Sequence, residues 1–360
     1  MRHSRYGAID VVTRGWAAAA LWAVTAATPL PGQQMSARLE HFLRSSIGLD
    51  SSQVRHVAAG QVVVKVLPTP ITRDVAVFGI IPLEVTRQFY VQRVLHTATW
   101  LRAPTRPHFG LFSNPAQAAD VQDVTIDAHD VQELDQCRPG HCNVKLPASE
   151  MQRLRRDIDW SAADAGAQVD AYARQRMVAY VTDYRARGDS ALVEYDDRGH
   201  VRAGRAFASL LAESPYVYQY VAPLHHYLAD YPHAPLAGVR DVLYWSEDAL
   251  PGLRPILSIT HLSVYTPPDR PGTTVMAQKQ IYADHYFEAV FDLTLMVDRA
   301  PPDSSTVPGI YLVVIRRYRF DNLPGGIFNI RGKVIGKLQD KMRLDLRREK
   351  QVSEAAFDSD

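Results

Sequence analysis

Thr274–Val297 reads TVMAQKQIYADHYFEAVFDLTLMV, and its division decides the fold. At roughly 3.3 Å per residue a single strand of this length would outrun a compact domain, so the reading is two strands meeting near Ala283 and Asp284. In the second, His285, Phe287, Ala289, Phe291, Leu293, Leu295 and Val297 share one face, and Tyr286, Glu288, Asp292 and Thr294 share the other. That parity predicts one buried and one wetter face. The apolar face needs a cover. The amphipathic stretch closing the chain, from Ile327 to about Arg348, is the predicted one: Ile327, Ile330, Val334, Leu338 and Met342 form its stripe.

Working outward, Asp241–Ser246, Ile256–Tyr265 and Ile310–Phe320 read as further strands of a meander, separated by turn signals such as Pro267-Pro268 and Pro301-Pro302. Nearer the start, Gln61–Leu67 and Asp74–Leu83 read as an antiparallel pair. A helix over Glu84–Trp100 and a strand over His108–Phe112 follow. Between Ala116 and about Pro232 the apolar period shifts from two towards 3.6, which predicts an all-helical insertion in a sheet domain. Within it, Asp127 caps one helix, and Gly188 stops a longer helix whose inner stripe is Tyr172, Met177, Tyr180, Val181 and Tyr184. The predicted class is α+β. The expected divisions are a leader over 1–27, sheet parts over 28–115 and 236–350, the insertion over 116–235 and a disordered tail over 351–360.

At 360 residues with 46% apolar content, the chain can bury a large core. Arg2, Arg5 and Arg14 precede the apolar run Trp16–Ala27, with small residues at its end. This is the build of a cleaved secretory signal, and the run is short for a bilayer span of about 20 residues. Cleavage would remove three arginines and one aspartate and move the formal charge from +1 to −1, leaving no field to gather nucleic acid. Export to a periplasmic or extracellular space would oxidise Cys137 and Cys142, which enclose the turn-forming Arg-Pro-Gly-His. A local disulfide is the expectation. No second Cys/His pair stands at metal-ligand spacing, and the redox motif has two intervening residues rather than four, so no metal or cofactor is expected.

The order of strand, helix, antiparallel strands and closing helix resembles the helix-grip superfamily of START lipid-transfer and polyketide-cyclase-like domains. The likeness is carried by Val75-Ala-Val-Phe-Gly79 with Pro82, by Phe89, Val94 and Trp100 on the helix, by Lys279-Gln-Ile-Tyr282 and His285-Tyr-Phe287, and by Gly325-Gly326 before the closing helix. It covers about 60–113 and 240–350. The helical insertion departs from the pattern. What the resemblance implies is a curved sheet gripping the C-terminal helix, with a hydrophobic ligand cavity between them.

His285 is the one polar side chain on an apolar strand face. It reads either as a core histidine or as a ligand-contacting acid/base group. His261 shares a face with Leu257, Ile259 and Tyr265, and Lys279 lies six positions before His285. A β-bulge near Ala283 would reverse these assignments. The expected ligand-binding residues are His285, Phe287, Phe291, Lys279, His261 and Tyr282. No nucleophile elbow, zinc helix, Walker loop or dinucleotide fingerprint is present. The first expectation is therefore an exported carrier of a lipid or other hydrophobic small molecule. A second is a cyclase- or hydrolase-type enzyme with His285 as general base and Lys279 or His261 polarising a carbonyl. A third is an envelope interaction protein acting through the insertion. The basic face of the closing helix, with Arg316, Arg317 and Arg319 before it, makes an anionic membrane surface another candidate partner.

Overall fold

The computed structural model describes residues 35–96, 101, 106–249, 253–299, 308–321 and 330–359. The leader, the start of the closing helix at Ile327, Trp100 and Gly325-Gly326 lie outside these residues. The protein is α+β, with an eight-stranded, wholly antiparallel sheet and a long C-terminal helix. The strands are β1 (Val63–Leu67), β2 (Asp74–Leu83), β3 (His108–Leu111), β6 (Arg240–Asp248), β7 (Ile256–Tyr265), β8 (Thr273–Ala283), β9 (Phe287–Asp298) and β10 (Ile310–Phe320), in the order β1-β2-β10-β9-β8-β7-β6-β3. The quoted stretch divides after Ala283, as predicted, into β8 and β9, but β9 begins only at Phe287, so His285 lies in the turn between the strands and not on the apolar face of β9.

Both faces of the sheet are covered. On one face Phe78, Ala277, Phe291, Leu293 and Val313 pack against α1 (Ala37–His41), α2 (Ser51–Ala58), α7 (Ala203–Ala212) and α8 (Pro215–Ala229). Phe207 of α7 meets Phe291 edge-on at 5.8 Å between ring centroids. On the other face Val77, Ile81, Val290, Leu312 and Val314 pack against α3 (Arg87–Leu95) and the closing helix α9 (Ile330–Phe357). The predicted cover is therefore corrected. The Phe291 face lies under the N-terminal helices and the insertion, and the closing helix takes the opposite face.

Gly79 sets how closely α9 approaches. A Cβ there would lie 2.6 Å from Leu346 Cδ1 and 2.9 Å from Met342 Cγ, so the helix rests on β2 with no space even for a methyl group. The helix also outruns its predicted end. Residues 351–357, expected as tail, are helical; Ser353 is buried, and Phe357 meets Phe89 at 5.1 Å between ring centroids.

The insertion contains α4 (Ala128–Leu134), α5 (Ala148–Asp157), α6 (Ala165–Arg187), α7 and α8. It is not all helical, because β4 (Glu194–Tyr195) and β5 (Val201–Arg202) pair as a hairpin across the Asp196–Asp197 turn. Cys137 and Cys142 are joined, with Cα atoms 4.7 Å apart. No helix among the described residues is long and apolar enough to cross a membrane.

The arginines of β10 are drawn inward. Arg319 forms a two-point pair with buried Asp74 at 2.8 and 2.7 Å, and Arg317 donates to Tyr216 at 2.8 Å. On the other face Arg316 lies between Asp292 (3.3 Å) and Asp345 of α9 (2.9 Å). Arg317 and Arg319 are thus buried in the core, and Arg316 meets α9 through Asp345, which also pairs with Lys341.

Burial pushes the Asp292 carboxyl up to about 6, with Arg316 pulling the other way. Because the folded value lies above the unfolded one, stability from this group is complete below about pH 4 and is lost as pH rises through about 6. Asp292→Asn removes that dependence. Its stability relative to wild type, from urea denaturation, is expected to rise between pH 4 and 7 by on the order of 2 kcal/mol. A pH-independent difference would show that Asp292 does not titrate in this range.

Candidate functional site

A partly enclosed cavity of about 260 Å³ lies between the insertion and the sheet. Helices α4, α5 and α6 contribute Leu134, Leu154, Val169 and Met177, and β7 contributes Leu257 and Ile259. The apolar stripe of α6 is what turns Val169 and Met177 inward. Tyr180 from the same stripe is held by donating to the Ile281 carbonyl at 2.5 Å, and Tyr172 donates to Glu150. Tyr282 donates to the Lys145 carbonyl at 3.3 Å. A more open cleft of about 950 Å³ beside the disulfide is lined mainly by polar side chains such as Gln132, Gln136, Arg138 and Arg198.

Asp130 and Asp284 bring carboxyl groups to the cavity lining, and His285 joins them. These three are buried, and one ligand atom from each lies within 4.8 Å of the others. His285 Nε2 is 2.8 Å from Asp130 Oδ2, and His285 Nδ1 is 3.1 Å from the Asn143 carbonyl. A carbonyl only accepts, so Nδ1 carries a proton. Arg254 donates to Asp130 Oδ1 at 2.9 Å and grips both oxygens of Glu133 at 2.8 and 2.9 Å. Those bonds hold Glu133 down at about 2, against the smaller effect of its burial.

Asp284 accepts from Leu257 N at 3.0 Å. Burial pushes its carboxyl up to about 8, opposed by the His285 charge and aided by that of Asp130. Burial alone would lower His285, but the Asp130 hydrogen bond and the charges of Asp284 and Asp130 together raise it. With Nδ1 on a carbonyl and Nε2 against an acid, neither ring nitrogen is open to act as a general base.

The predicted residues do not converge on one cavity: His261, Lys279 and Phe291 adjoin one another in the core, away from His285, Phe287 and Tyr282. His261 and Lys279 are directly opposite each other on β7 and β8. His261 bonds Tyr184 OH and Asp241, each at 2.9 Å. Lys279 is fully buried, ion-paired with Asp189, with Nζ 4.1 Å from the Phe207 ring centroid and 5.6 Å from that of Tyr184. Its pKa is lowered by burial and partly restored by Asp189. Phe287 lies on the α9 face beside Tyr318 and Phe320, while Phe291 is in the core against Phe207. Among the expected ligand residues only Tyr282 lines the cavity.

Register explains the scatter. Ile259 pairs with Tyr282 but Thr260 pairs with Gln280, leaving Ile281 as an extra residue; Arg319 pairs with Ala289 but Phe320 pairs with Phe287, leaving Glu288 as another. Each slip exchanges faces. Sequence reasoning missed Asp130, Glu133 and Arg254 as partners of this cluster, and no local motif announces them. The inward stripe of α6, with Tyr172, Met177 and Tyr180, was the readable signal.

Compared with known proteins, the chain matches no protein-family model and no curated protein.

Proposed function

We propose that this protein binds a small, largely apolar molecule bearing one polar end, in the cavity between the insertion and strands β7 and β8, in an oxidising compartment outside the cytoplasm. The carrying observation is the cavity itself: apolar side chains from three helices and two strands surround it, and polar groups such as Asp130, Asp284, Glu150 and Arg176 share its lining, a composition that suits a ligand with a polar group. A volume of about 260 Å³ lies just below the usual range of about 300–1,000 Å³ for such sites and favours a compact ligand over a two-chain lipid. The disulfide supports the compartment. The architecture is compatible with a helix-grip domain, whose cavity would lie under α9; the ligand proposed here belongs instead to the insertion side of the sheet.

The test is a plug. Ala173 of α6 lines the cavity, and Ala173→Phe extends a ring into it. A neutral naphthylamine probe is expected to bind wild type with micromolar affinity and the folded variant at least about tenfold more weakly, a difference of about 1.4 kcal/mol. Equal binding by both proteins, or none by wild type, would remove this reading.

A further inference from the structure

We infer that Asp130, Asp284 and His285 form a binding site for one divalent first-row transition-metal ion, with its remaining coordination position turned to the cavity. Three features carry this. First, the donor atoms converge. A tetrahedral ion with bonds of about 2.0–2.2 Å holds its ligand atoms roughly 3.3–3.6 Å apart. His285 Nε2 and Asp130 Oδ2, 2.8 Å apart, would have to part by about 0.5–0.8 Å to reach that spacing, and an Asp284 oxygen lies within 4.8 Å of both. Small side-chain movements admit the ion.

Second, the groups behind the donors are those a metal site uses. His285 donates Nδ1–H to the Asn143 carbonyl, which fixes the ring and the tautomer that leaves Nε2 as the ligating atom. Arg254 bonds the outer oxygen of Asp130, leaving Oδ2 towards His285, and the Leu257 amide holds Asp284 Oδ1. Third, the charges fit. Glu133 matches Arg254 through a two-point contact, and an ion that displaces the protons held by His285 and Asp284 leaves one neutral imidazole and two carboxylates to balance its two charges. One imidazole and two carboxylates suit zinc, manganese or ferrous iron better than magnesium or calcium, which take oxygen alone. Asp130 and His285 are 155 residues apart, so ligand spacing in the sequence could not reveal the set.

The ion's open position would meet the polar end of a molecule in the cavity. The site itself is supplied by the chain and does not depend on that molecule. The experiment is titration of the chelator-treated full-length protein with Co²⁺, read by its visible d–d absorption, with Zn²⁺ as competitor. Expected are one equivalent bound, a band of tetrahedral intensity that Zn²⁺ abolishes, and at least a tenfold loss of affinity in Asp284→Asn and in Asp130→Asn. His200→Ala, at an exposed histidine, serves as the control and is expected to bind as wild type does. Circular dichroism establishes that each variant is folded. If neither aspartate variant folds, the wild-type spectrum decides: absence of a tetrahedral band overturns the site, as does a folded Asp284→Asn that binds like wild type. Naphthylamine binding in the same samples separates this outcome from failure of the cavity, since a dry cavity with a bound ion and an occupied cavity without one give opposite pairs of signals.

Discussion

Gly188→Ala is expected to cost on the order of 4 kcal/mol or more, enough to unfold much of the protein near physiological temperature. Gly188 ends α6 at φ 56° and ψ −132°, a conformation open to glycine and strained for any residue with a Cβ. Space forbids the substitution independently. A Cβ would lie 1.6 Å from the Tyr231 carbonyl oxygen and 2.7 Å from its carbon, and these are backbone atoms with no rotamer to change. Tyr231 cannot simply retreat, because its ring stacks on Tyr184 at 5.2 Å and lies 4.5 Å from His261. Urea denaturation checks the expectation, with Gly166→Ala beside it. Gly166 lies in the first turn of the same helix with nothing within 4 Å of a new Cβ, so alanine there is expected to be neutral or to stabilise by up to about 1 kcal/mol. A Gly188→Ala protein within about 0.5 kcal/mol of wild type would mean that the backbone at Gly188 does not press against the Tyr231 carbonyl.

The sequence shows element types and order well, because they depend on local periodicity. Pro267-Pro268 separates β7 from β8, the DH dipeptide at 284–285 separates β8 from β9, and the stripe through Val334, Leu338 and Met342 gives the closing helix. Which face each residue takes is a different matter. β9 is buried along nearly its whole length, so its alternation contains no inside and outside, only two insides. Its polar members show this: Glu288 and Thr294, assigned to a wetter face, are buried, and Glu288 is paired with Arg73. The extra residues Ile281 and Glu288 then break parity between Lys279 and Phe291 twice. Lys279 and Phe291 therefore end directly opposite each other on one face, with Phe287 on the other. The candidate site was least legible because it joins His285 to a helix far earlier in the chain. The disulfide was legible for the converse reason, since its partners are five residues apart across one turn.

Asp189→Ala is expected to destabilise the protein by about 3–5 kcal/mol at pH 7, because it leaves the fully buried Lys279 ammonium without its carboxylate. Lys279→Met keeps most of the stem that packs on Phe207 and removes the charge. Asp189 retains 28% side-chain exposure and can be hydrated, so this variant is expected within about 1.5 kcal/mol of wild type. Adding Asp189→Ala to the Lys279→Met variant, where no buried charge remains, is then expected to cost less than about 1 kcal/mol, so the cycle reports a coupling of several kcal/mol. A second axis separates charge from packing. The folded pKa of Lys279 is already depressed by burial, and losing Asp189 depresses it further. For a group whose folded value lies below the unfolded one, stability rises with pH as the unfolded chain releases its proton. The penalty of Asp189→Ala should therefore shrink as pH approaches about 10, the ordinary lysine range, and no such slope should appear in the double variant. A penalty that persists undiminished once Lys279→Met is in place, or is flat with pH, would assign Asp189 to the turn after α6 and leave Lys279 without a structural partner. The fold would then hold an uncompensated buried cation next to His261, where a reacting group, and not a core contact, would be the economical account of it.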